Sequence, residues 1–239
     1  MALLAGVEPT WRVDVVEETG STNADLLAGV RRGTVGPYTA LMARRQTAGR
    51  GRLDRSWQTL PDVGLALSAV LPLPAPPERW GLIPLMTGLA LVEVVDALGA
   101  VAQLKWPNDV VMAGGKLAGI LVEASPPLAV VGIGLNLAGT ADDLGGAERV
   151  SLAMAGIVAT PESAAAALLA RLGSAVARPD LAAYRRHCLT LGQRVRAIRS
   201  PGDVVEGIAL TVAETGALVI DTGQGPPVTV AAGDIHHLR

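Results

Sequence analysis

The ten-residue run LAVVGIGLNL, residues 128–137, is apolar throughout except for its two glycines and Asn136. A strand with one wet face alternates apolar and polar residues, so a run without alternation is buried on both faces. Such a strand belongs in the middle of a sheet that is covered on both sides, which calls for layers of helix and sheet. The rest of the chain supplies those layers. WRVDVVEE (11–18), YTALMARR (38–45), GLALSAVL (64–71) and AQLKW (102–106) read as strands, and DVVMAGGKLAGILVEA (109–124) reads as a hairpin turning at Gly114–Gly115. A first helix begins at Ser21 or Thr22, both good N-caps, and stops at Gly33. Residues 78–99 form a long apolar helix capped by Gly99. Thr160 followed by Pro161 starts a third helix, and residues 180–191 make another helical piece.

The character changes after Gly192. QRVRAIR, DVVEGIALTVA, ALVIDTG, PPVTVAA and DIHHL are five short strands punctuated by Gly and Pro. The expected fold is α+β: a mixed sheet flanked by helices over residues 1–191, then a small β-barrel over 192–239.

A formal net charge of -2 argues against binding nucleic acid or membrane through a global field. The single cysteine, Cys188, forms no internal disulfide, and no Cys/His cluster has metal-ligand spacing, which fits a reducing compartment. The first twelve residues lack the basic start and apolar run of a signal peptide. The apolar stretch 82–98 carries Glu93 and Asp96 and falls short of a membrane span. A cytoplasmic protein is expected.

Two apparent nucleotide motifs fail. GGKL (114–117) lacks the preceding glycine of a P-loop and has Leu117 in place of Ser or Thr. GIGLNLAG (132–139) has Leu137 where a dinucleotide fingerprint needs its third glycine. Four other segments carry chemistry. QTAGRGRLDRSW (46–57) threads Arg50, Arg52 and Arg55 through a glycine-rich loop, where backbone N–H groups approach a ligand closely and guanidinium groups grip an anion. Taken alone, it is also readable as a solvated loop or a nucleic-acid patch. In KWPNDVV (105–111), Lys105 closes an apolar strand, where an ammonium is costly without a partner; a snorkelling strand-end lysine is the plainer reading. Asn108 and Asp109 suit a turn, and Lys116 brings a second cation across the hairpin. GSTN is a helix cap, and a helix N-terminus also holds polar or anionic groups. GIGLN is either a tight core strand or one thinned so that a flat ring packs on its backbone, with Asn136 reading the ring's edge.

The order and spacing of STN, Q-x-x-GRGR-x-x-R-x-W, KWPND, KLAGIL-x-E and GIGLN resemble biotin protein ligases, closely over residues 17–137 and more loosely over the C-terminal strands. The resemblance implies a class II synthetase-like (SH2-like) catalytic domain, followed by an SH3-like β domain. It implies formation of biotinyl-5′-AMP from biotin and MgATP, then transfer to a lysine of a biotin carboxyl carrier protein. By resemblance, Ser21, Thr22, Asn23 and Gln46 bind the ureido head of biotin. Arg50, Gly51 and Arg52 line the carboxylate–phosphate region, and Lys105 stabilises charge in both steps. Trp57 packs on adenine and Asn136 hydrogen-bonds it, with Arg55, Asn108 and Lys116 toward the nucleotide or carboxylate. Asp109 either takes magnesium or holds a lysine. The family loop usually reads GRGR-x-G-R, whereas Asp54 stands here at the glycine. The twenty residues before STN hold no pair of helices, so the enzyme-only form is expected, as a monomer or homodimer. The alternatives are a lipoate or octanoate ligase of the same superfamily and a biotin-sensing DNA-binding regulator.

Overall fold

A computed structural model of the chain describes residues 10–52, 55–57, 63–200 and 202–238; Asp54 lies outside the described residues. The apolar run forms β7 (Leu128–Asn136), antiparallel to both of its neighbours, β3 (Gly64–Pro72) and β6 (Gly115–Ser125). The remaining strands are β1 (Arg12–Thr19), β2 (Thr39–Gln46), β4 (Gln103–Lys105) and β5 (Asp109–Met112), and the sheet order is β1-β2-β3-β7-β6-β5-β4. Only β1 and β2 are parallel, because α1 (Thr22–Arg31) crosses between them. The β5–β6 turn sits one residue earlier than expected, with positive φ at Ala113 and Gly114.

Helices cover both faces. On one, α1 sets Leu26 and Leu27 against Leu41, Val70 and Val130. On the other, α2 (Leu82–Ala97) packs against the sheet, α3 (Pro161–Ala177) and α4 (Leu181–His187). Residues 77–97 are long and apolar enough to cross a membrane by composition, but 67% of that window is buried inside the protein. A helix that is apolar all round suits such a core position. The expected single helix over 78–99 is divided: a 3-10 turn, Pro77–Arg79, precedes α2. Thr160 and Ser163 close a reciprocal capping box on α3, as the Thr–Pro start implies. α4 stops at His187 and does not run on to 191, because Leu189 N–H donates to Leu104 O (2.9 Å) and the segment joins the edge of β4.

β8 (Arg194–Ser200), β9 (Asp203–Val212), β10 (Leu218–Asp221), β11 (Val228–Val230) and β12 (Asp234–His237) form a second sheet in the order β11-β10-β9-β8-β12. It is not the closed barrel expected. β11 and β12 lie at opposite ends, and among the described residues they do not pair; each is only three or four residues long. Trp106 fastens this sheet to the first: its indole N–H donates to Gly216 O (2.9 Å) and its backbone N–H to Thr190 Oγ1 (3.1 Å).

Candidate active site

The face under α1 is only partly covered. Beyond Val70 and Val130, the same face of β3 and β7 carries Ala66, Ser68, Gly132 and Gly134, whose small side chains leave space. That space is a cavity of about 1390 Å³, bounded by α1, the arginine loop, the β5–β6 hairpin and β12. Every residue expected at a site lines it except Asn136.

The closed end is neutral and polar. Gln46 Oε1 accepts from Thr22 N–H (2.9 Å) and Thr22 Oγ1 (3.1 Å), and Thr22 Oγ1 lies 2.7 Å from Ser68 Oγ. Ser68 Oγ donates to Asn23 Oδ1 (2.7 Å), and Asn23 Nδ2 donates to Glu123 Oε2 (2.9 Å). Ser21, the N-cap, starts α1 so that Thr22 and Asn23 project here.

Each arginine of the loop has a different partner. Arg50 binds both oxygens of Glu123 at 2.9 and 2.8 Å. Arg52 donates to Asn108 Oδ1 (3.1 Å) and Gly233 O (3.3 Å), and Arg55 pairs with Asp234. The loop thus ties the closed end to the C-terminal sheet. Burial lowers the Arg52 guanidinium from its ordinary range, opposed by Asp109 and Asp234. Partial burial raises the Asp234 carboxyl, but the bond and charge of Arg55, with His236 and Lys105, hold it below the usual range. Burial, and then the charge of Lys105, lower His237.

Lys105 ends β4 and lines the cavity with no ion pair among the described residues. Lys116 Nζ lies 2.7 Å from Asp109 Oδ1, an ion pair without hydrogen-bond alignment. Asp109 Oδ1 is buried, and the Lys116 ammonium is its partner. Of the two roles expected for Asp109, the structure shows it holding a lysine. Among the described residues no group of three acidic, histidine or cysteine side chains is placed to hold a metal.

Trp57 is nearly buried, and its indole lies on Gly134 and Gly119, which face each other across β6 and β7. A Cβ at Gly134 would overlap the ring, and one at Gly119 would come within 3.2 Å of it. Lys116 Nζ and the Arg149 guanidinium stand 5.7 and 5.3 Å from the ring centroid, in cation–π range. A flat ring does pack on one glycine of GIGLN, Gly134, and it is the protein's own. Asn136, two residues beyond Gly134 on β7, has its Nδ2 committed to Val150 O (2.9 Å) and Lys116 O (3.3 Å).

Four contributors escape a reading of the sequence. Ser68 passes as one polar residue in an apolar strand, and Glu123 sits inside KLAGIL-x-E without an evident role. Arg149 and Asp234 carry no local motif, because only the tertiary fold brings them to the cavity.

One cavity on a mixed sheet, neutral at its closed end, cationic at its mouth and roofed by an arginine loop and a second small sheet, is the architecture of a protein-modifying ligase. The chain belongs to the Biotin/lipoate A/B protein ligase family, whose profile matches residues 15–137, and the Biotin protein ligase C terminal domain matches residues 190–238, which places it among the biotin protein ligases. It is 42% identical to the biotin–[acetyl-CoA-carboxylase] ligase of Mycobacterium tuberculosis over 249 aligned residues, 99% of this chain and 93% of that protein. The biotin protein ligase from Aquifex aeolicus in complex with biotin and ATP superposes with a TM-score of 0.79 at 26% identity, covering 95% of this chain and 99% of that one. The bifunctional ligase/repressor BirA of Escherichia coli is 36% identical over 132 residues, a match spanning 53% of this chain and 40% of the repressor.

Proposed function

We propose that the chain is an ATP-dependent biotin–protein ligase that modifies a lysine of a biotin carboxyl carrier protein. The observation that carries this reading is a cavity with an uncharged polar closed end that is also lined by two cations, Lys105 and Arg149, which form no ion pair among the described residues. A biotin carboxylate oxygen attacks the α-phosphorus of ATP, the bond to pyrophosphate breaks, and biotinyl-5′-AMP forms. The uncharged amine of a carrier lysine then attacks the acyl carbon, the C–O bond to AMP breaks, and the amine releases its proton. Both steps gather negative charge where the carboxylate meets the phosphate. Fixed cations facing that point stabilise the transition state without reorganising.

We assign the head group of biotin to Thr22, Asn23, Gln46 and Ser21, and the carboxylate–phosphate junction to Lys105, Arg52 and Gly51. The nucleotide falls to Trp57, Lys116, Asn108 and Arg55. Asn136 acts by holding the segment that carries Arg149. A magnesium ion would come with ATP, held by its phosphates and water; Asp109 would join it only by giving up Lys116, which lies 2.7 Å from its Oδ1. When bound, the ion screens the phosphate charge. We take residues 1–191 as the catalytic domain and 192–239 as the C-terminal domain, and place the enzyme in the cytoplasm.

The test is pyrophosphate release from protein and MgATP with either biotin or lipoate. Release with biotin is expected; release with lipoate alone refutes the assignment in favour of the sister activity. Arg52→Ala is expected to keep the fold and to release the adenylate about ten to a hundred times faster, as for loss of a charge-assisted hydrogen bond. Unchanged dissociation of radiolabelled adenylate counts against the clamp. Specific DNA binding is not expected, with or without biotin. A gel shift on the upstream region of its own biotin genes that survives about 0.15 M salt is the contrary result.

A further inference from the structure

We infer that Ser68, locked by Glu123, makes the closed end of the cavity a filter for head groups that offer N–H donors. The inference rests on the biotin reading and states what that site selects. Ser68 is fully buried on β3, opposite Gly132, and its hydroxyl lies between Thr22 Oγ1 and Asn23 Oδ1, 2.7 Å from each. Thr22 Oγ1 in turn lies 3.1 Å from Gln46 Oε1. These three contacts need three protons. The amide oxygens of Gln46 and Asn23 only accept, and the two hydroxyls bring one proton each. One contact therefore always lacks its hydrogen, and a lone pair is left over. A ligand N–H fills that deficit.

The amides cannot supply the missing proton by turning over. If Asn23 flipped, its Nδ2 would face Ser68, but its Oδ1 would then face the Glu123 carboxylate and Leu121 O, which are acceptors only. Arg50 binds both oxygens of Glu123 and so holds the carboxylate in place against Asn23. Gln46 is fixed likewise, because its Oε1 already accepts from Thr22 N–H. Its Nε2 makes no hydrogen bond among the described residues and is free to donate to a carbonyl. A leftover acceptor beside a leftover amide donor matches a cyclic urea, one carbonyl flanked by N–H groups. A dithiolane or a plain acyl chain offers neither.

The test uses the full chain with MgATP and, in turn, biotin, biotin methylated at each ureido nitrogen, and lipoate, reading pyrophosphate release. Wild type is expected to reject at least one N-methyl isomer by about a hundredfold or more in kcat/KM, the behaviour of a site built to hydrogen-bond its ligand. Ser68→Ala is expected to raise the biotin KM about ten- to a hundredfold and to narrow the biotin-to-lipoate ratio equally, leaving ATP KM and saturated kcat within about threefold. Ser68→Cys, of similar volume and a weak donor, moves the same way by less and guards against misfolding of the alanine variant. Glu123→Gln, whose amide permits Asn23 to turn over, is expected to weaken the N-methyl discrimination. Variants that keep the wild-type biotin KM and selectivity, with both N-methyl isomers accepted, overturn the filter alone. A wild type with no biotin-dependent release overturns the functional reading and the filter with it.

Discussion

Lys105→Ala lowers the kcat of biotin-dependent pyrophosphate release by about two to three orders of magnitude, the scale of a lost oxyanion donor. The backbone around Lys105 is rigid. Its strand partner is Asp109, and the next residue, Trp106, is held by Thr190 and Gly216 of the C-terminal half. Most other cations of the site already have carboxylate partners: Arg50 with Glu123, Arg55 with Asp234, Lys116 with Asp109. Lys105 has none among the described residues, so its charge is available where the carboxylate and α-phosphate meet, and it stabilises the transition state more than the separated substrates. Because no ion pair is broken, the thermal midpoint of the variant stays near that of wild type. Lys105→Arg does not restore full activity, since a planar fork does not occupy the place of a compact ammonium. Pyrophosphate release at saturating biotin and ATP, with a melt on the same sample, decides the matter. Normal turnover by Lys105→Ala, or loss explained by unfolding, moves the catalytic charge to Arg52 or Lys116.

Gly134→Ala raises the KM for ATP about ten- to a hundredfold while leaving biotin binding near wild type. The strand itself accepts alanine, but the new Cβ overlaps the indole of Trp57 and lifts it off the Gly119–Gly134 floor. Losing the place of a buried aromatic side chain is worth about 1.5–3 kcal/mol, which is the stated range in affinity. The two glycines of GIGLN serve different ends of the cavity. A Cβ at Gly132 would overlap the Asn23 amide, whereas one at Gly134 meets Trp57. Gly132→Ala is therefore the reciprocal control and weakens biotin first. Calorimetry with biotin alone, followed by ATP kinetics, separates the two. An equal loss of both ligands in Gly134→Ala, or an unchanged ATP KM, removes Trp57 from the nucleotide end.

What the sequence determined by itself is local. The non-alternating run 128–137 demanded a strand covered on both faces, and β7 is the central, fourth strand of the seven-stranded sheet, with helices on each side. Ser21, Thr160 and Pro161 marked helix starts because a cap satisfies N–H groups only two or three residues away. The clustered motifs were legible for the same reason, since each holds its ligand-facing residues within a few positions. Tertiary structure decided which side chain meets which. Ser68 and Asn23 are 45 residues apart, Asn23 and Glu123 are 100 apart, and Arg55 and Asp234 are 179 apart. Those pairings follow from the register of β3, β6 and β7 and from where Trp106 fastens the second sheet, and no spacing along the chain encodes them. Asn136 shows the difference most plainly. A polar residue at the end of GIGLN reads as facing a ligand; the fold adds that its Nδ2 holds the carbonyls of Lys116 and Val150, because a buried N–H must find an acceptor and backbone oxygens were within reach.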